Sequence, residues 1–267
     1  MGHTRLGKIP TTRRWRDVVG IFASSKSSID EASDSGEIAS LAGATVKASA
    51  AALKEGVKDG GLSFIFFFLT QIALAARTPN AAAELENLGL QLSSAKTHMD
   101  LTIEVHRVID DHFRQAKGKS DVAEMAQLAI GETLTAYFRS QPRDLFSGAQ
   151  EQLLTDLRDL GTQKNFGSIA RSFFSNFMSR MLGFYLSKFI KPGGRQKLVN
   201  SAEDLTRFNA ELRQHAYQRA AIVHEFAEKW FSKTEFEQGI DRKNTQRFVS
   251  YACKKLQDEF LHGMDGE

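Results

Sequence analysis

Apolar positions recur along this chain with helical period, at spacings of three and four that fall on one face of a 3.6-residue turn. Trp15, Val18, Val19 and Phe22 begin the series, behind Thr11 and Thr12, either of which suits a helix cap. The polar stretch SSKSSIDEASDSGE then reads as a linker. Residues 38–53 are mostly Ala, Gly, Ser and Thr, with Ile38, Leu41, Val46 and Leu53 as the larger apolar side chains. Such a helix lacks bulk and packs by close backbone approach. A phenylalanine-rich helix over 62–76 comes next, then a short helix over 80–88 that stops at Gly89.

Residues 98–116 form an amphipathic helix through Leu101, Val105, Val108, Ile109 and Phe113. Asp121 with Glu124 reads as a capping box opening a helix that runs to Ser140, before Pro142. Another covers 147–160 and ends at Gly161, and an aromatic helix over 165–190 is closed by KPGG. One long helix spans Ser201 to Ser232, and the last covers 244–262. With no alternating strand and no repeat, the pattern predicts an all-α fold. It is a single large bundle-like domain of about eight helices around a central hydrophobic helix. Residues 1–60 form a basic N-terminal arm and small-residue helix, and 61–267 the main helical domain.

The segment GGLSFIFFFLTQIALAA is seventeen residues without a charge. As a helix it spans about 26 Å, short of the ~30 Å hydrocarbon core of a bilayer. Ser63, Thr70 and Gln71 also interrupt it, so the simpler expectation is a helix buried on all sides. Conditional insertion into a membrane is the other reading.

Charge changes the picture locally. The chain has 267 residues and a formal charge of only +3, yet no acidic residue lies between Asp159 and Glu203. Lys164, Arg171, Arg180, Lys188 and Lys191 stand in that gap among six Phe. A cationic aromatic helix suits a membrane interface, an acidic partner groove or a nucleic-acid backbone, and equally a core helix whose cations face water. Arg13, Arg14 and Arg16 flank Trp15 in a basic amino terminus that could meet a nucleic-acid backbone or an anionic lipid surface, or could be a solvated terminus. No zinc-finger, ribonucleoprotein or KH-type motif accompanies that charge. The start carries no secretory signal, and the single Cys253 excludes a disulfide framework within the chain. These features point to a cytoplasmic protein, peripheral at the inner membrane if the membrane reading holds.

Phosphate-loop, dinucleotide, nucleophile-elbow and zincin motifs are absent from the sequence. His106 with Asp110 supplies too few ligands for a metal, and no cofactor is implied. The arrangement Arg-x4-His occurs twice, as Arg107 with His112 and Arg219 with His224. It resembles the catalytic motif of HEPN ribonucleases, which implies a pair acting on the RNA 2′-hydroxyl and the scissile phosphate. Two features depart from that family: Val108 and Ala220 follow the arginines where a polar residue is usual, and neither match contains a Gly or Pro to bend the helix. In an unbroken helix, positions five apart point about 140° from each other.

The stretches LGKIPTTRRWRDVVGIF, SDVAEMAQLA, FFSNFMSRML and AAIVHEFAEKWFSK together resemble an uncharacterised family of bacterial all-helical proteins. That resemblance spans most of the chain, assigns no activity and no site residue, and implies an accessory protein encoded beside larger defence-type partners. The resulting expectation is a non-enzymatic helical component of a bacterial multiprotein system, of the anti-phage kind. It would dock another protein of the same gene cluster through the basic terminus and the cationic aromatic helix. A membrane-acting effector and a HEPN-like ribonuclease are the alternatives.

Overall fold

In the computed structural model the described residues are 53, 59–92, 95, 97–116, 118–142, 148–187, 202–237 and 239–262. The expectations for Arg13, Arg14, Trp15, Arg16, Lys188 and Lys191 lie outside them, as does nearly all of the N-terminal arm. Nine helices occur among these residues, and no β-strand. We number them α1 (Gly60–Ala75), α2 (Ala81–Asn87), α3 (His98–Gln115), α4 (Asp121–Ser140), α5 (Ala149–Leu160), α6 (Gln163–Ser187), α7 (Ala202–Arg219), α8 (Ala221–Glu237) and α9 (Arg242–His262). The fold is all-α, as the periodicity predicts.

The phenylalanine-rich segment is α1, and it runs through the centre of the molecule. Asp59 caps it by accepting the Gly61 N–H at 2.8 Å. Leu62, Ile65, Phe66, Leu69 and Ile72 are fully buried, and α4 and α9 cover the helix with narrower contributions from α2 and α5. Phe66 has five rings around it at 5.2–6.2 Å: Phe166, Phe173 and Phe174 of α6, Trp230 of α8 and Phe248 of α9. Burying one such side chain contributes about 1.5–3 kcal/mol, and paired rings add to that.

Of the three polar residues inside the apolar run, two have partners, and the buried Ser63 hydroxyl has none among the described residues. Thr70 donates to the Phe66 carbonyl at 2.8 Å, and Gln71 donates to the Ile240 carbonyl at 3.2 Å. No helix among the described residues is long and apolar enough to cross a membrane.

The second hub is α6, packed on α4, α7 and α8. Its aromatic residues Phe166, Phe173, Phe174 and Phe177 are all fully buried. Two local expectations change. Ser120, one residue earlier than Asp121, caps α4 by accepting the Ala123 N–H at 2.9 Å. The long helix expected from Ser201 to Ser232 is interrupted at Ala220, which separates α7 from α8.

Candidate functional site

Helix α4 shows one stripe to the outside. Asp121, Glu124, Leu128, Glu132, Thr135 and Arg139 follow each other at spacings of three and four, so they share a face. Val122, Ala126, Ala129, Ile130 and Leu134 occupy the opposite face and are buried. The stripe is the floor of a groove. Met99, Thr102 and His106 of α3 form one wall, and Asn176 and Arg180 of α6 with Arg213 of α7 form the other. The central part encloses about 480 Å³, and it continues past Leu128 into a hollow of about 430 Å³ beside Asp121 and Glu124.

The groove joins apolar side chains to charges of both signs, Asp121, Glu124 and Glu132 against Arg139, Arg180 and Arg213. Met99 and Leu128 of its lining are exposed large apolar side chains, at 64% and 39%. Arg180 pairs with Glu132 across the floor. Arg139 and Arg213 form no ion pair with the described residues, so their charge is directed at solvent. Asn176 Nδ2 donates to Thr133 Oγ1 at 3.0 Å and holds α6 against α4. His106 lies over Gly131, where an added Cβ would come within 2.3 Å of its Nε2. Burial pushes the His106 imidazole below its ordinary value, helped by Lys119 and opposed by Asp110.

Toward the carboxyl end of α4 the groove meets a second pocket of about 290 Å³. Here His98 Nε2 of α3 and Asp156 Oδ2 of α5 lie 2.7 Å apart. The contact is close, yet neither atom has a partner in hydrogen-bonding geometry. Gln152 Nε2 donates to the other carboxylate oxygen at 2.8 Å. The His98 ring stacks on Phe138 with centroids 4.5 Å apart.

The residues singled out in the sequence fall in several places. Arg107 donates to Glu104 at 2.8–3.2 Å, to Asp111 at 3.0 Å and to the Gly89 carbonyl at 2.5 Å. It fastens α3 to the α2–α3 connection. His112 instead stacks on Phe64, with centroids 3.5 Å apart. Burial, then the Arg242 charge, lowers its pKa.

Arg219 ends α7, and His224 lies in α8 with its Nε2 3.7 Å from Glu228. A helix break that the sequence did not show lies between them, at Ala220, and Arg219 is engaged in a contact of its own. Arg171 donates twice to the Tyr217 carbonyl at 3.0–3.1 Å and lies 3.9 Å from the centre of that ring. Of the candidates that fall among the described residues, Arg180 lines the α4 groove. No group of three or more potential metal ligands is clustered among the described residues.

Sequence reasoning passed over Arg139, Arg213, Met99, Leu128, His98 and Asp156. One signal was available: Asp156 stands in phase with Leu153, Leu157 and Leu160, an acid on an apolar stripe. The groove gave no such signal, because its walls come from three separate helices. No family model matches the chain, and no curated protein or solved structure matches it either.

Proposed function

We propose that the protein is a helical docking component, and that it holds a short acidic amphipathic helix of a protein partner in the groove over α4. The observation that carries this reading is the coexistence of exposed Met99 and Leu128 with the outward charges of Arg139 and Arg213 in one groove. A helix laid in a groove anchors through apolar residues at three- and four-residue spacing, and flanking charge sets its orientation and partner choice. Acidic residues of the partner fit Arg139 and Arg213, and Asp121 with Glu124 repels them at the amino end of α4, which sets the direction of the bound helix. The setting, a bacterial multiprotein system of the anti-phage type, rests on the family resemblance in the sequence alone.

This placement moves the proposed interface away from the aromatic side of α6. Phe166, Phe173, Phe174 and Phe177 of that helix are core, and Arg171 is committed to Tyr217. Selection of the full-length protein against a displayed peptide library tests the proposal. Acidic peptides with helical apolar spacing should be enriched. Their affinity should fall roughly tenfold or more in Arg213→Glu and in Leu128→Asp, and should weaken with salt. Peptides that bind both variants as well as the parent would place the interface elsewhere.

A further inference from the structure

Asp156 is the one charged side chain among the described residues in the fully buried group, at 3% exposure. A buried carboxylate is costly unless it is paired and hydrogen-bonded. Here Gln152 satisfies one oxygen and His98 meets the other. Tyr137 supports the same turn by donating to the Asp156 carbonyl at 3.2 Å. His98 Nε2 is buried against the carboxylate while the side chain as a whole is about a third exposed, at 32%. The nitrogen left for the pocket is therefore Nδ1. Phe138 holds the ring flat from one side, and Arg139 lines the same pocket.

A histidine held between a buried acid and a stacked ring, with its second nitrogen toward a cavity and a cation nearby, has the parts of a general base with an anion anchor. A strut joining α5 to α3 would need neither the open nitrogen nor the arginine. We propose that this pocket hydrolyses a small carboxylate-bearing ester, with His98 as the catalytic base, Arg139 as the substrate anchor and Asp156 and Gln152 as positioning residues. His98 Nδ1 takes a proton from water as the water oxygen bonds to the acyl carbon. Collapse of the tetrahedral adduct breaks the bond to the leaving oxygen, which takes that proton back from His98. Ester and water thus give acid and alcohol. The pocket's volume, about 290 Å³, limits the acyl part to a few carbon atoms.

The test compares the p-nitrophenyl half-ester of adipic acid with p-nitrophenyl acetate, using the full-length protein and subtracting the buffer rate. The half-ester should be turned over. His98→Gln should lower kcat about a hundredfold or more, the range ascribed to a positioned base. Arg139→Ala should raise KM for the half-ester and leave the acetate unchanged. Asp156→Asn should lower kcat with little effect on KM and should shift the pH profile, which a purely structural carboxylate would not do. Because Asp156→Asn alters a buried site, its thermal midpoint is measured alongside, and the partly exposed His98 and exposed Arg139 carry the decision if it unfolds. Hydrolysis no faster than buffer, or equal in His98→Gln, overturns the proposal. The hydrolysis assay contains no peptide and the peptide selection no ester, so this inference and the docking reading fail separately.

Discussion

Gly161 shows how a single residue takes its meaning from packing. In the sequence it reads as a helix stop, but its φ of −72° is open to any residue. What excludes a side chain is the carbonyl oxygen of Ala73 in α1, which would lie 2.4 Å from an added Cβ. Gly161→Ala should therefore destabilise the fold by about 1–3 kcal/mol, as overpacking does, read from the urea midpoint. The histidines make a second residue-scale prediction. His106 and His112 both have pKa values lowered chiefly by burial, from an ordinary value of 6.5. Below about that pH the unfolded chain binds more protons than the folded one, so stability falls as pH drops and levels off below the depressed folded values. Urea midpoints between about pH 7.5 and about pH 5.5 should decline, and less steeply in His106→Gln. An unchanged slope in that variant would show that His106 is not the group sensed.

At the scale of elements, α1 is the part on which α6, α8 and α9 converge. Phe66 alone meets rings from all three. Truncation to Ala should cost about 3–5 kcal/mol, measured by circular dichroism in urea, and a loss under about 1 kcal/mol would mean the helix is not the hub described. The same packing bears on the membrane reading: releasing α1 would strip the ring contacts that Phe66 makes with three other helices. Much of this was legible in the sequence, because α1, α3, α4 and α6 announce themselves by apolar phase and by glycine or proline ends. The division between α7 and α8 was not. Ala220 is itself a good helix former, so nothing local marks the break; beyond it α8 lies close against α6, where Gly167 admits the His224 carbonyl to within 3.0 Å of where a Cβ would stand.

Over the whole molecule, one natural reporter tracks the integrity of the core. Cys253 of α9 is fully buried, and burial pushes its thiol up to about 12, so almost no thiolate exists near neutral pH. Labelling by a thiol-specific disulfide reagent should be slow in buffer and should follow global unfolding in urea. Rapid labelling without urea would show that α9 separates from the rest on its own. By itself the sequence determined that the chain is helical and where most helices lie. It also determined that the charge-free run is too short and too polar to span a bilayer comfortably, because period and length are local properties. Only the tertiary structure decided which cations are spent on internal partners, as Arg107 and Arg171 are, and which face outward, as Arg139 and Arg213 do. It alone brought His98 to Asp156. Such pairings depend on how helices distant in sequence cross one another, and no local pattern records a crossing.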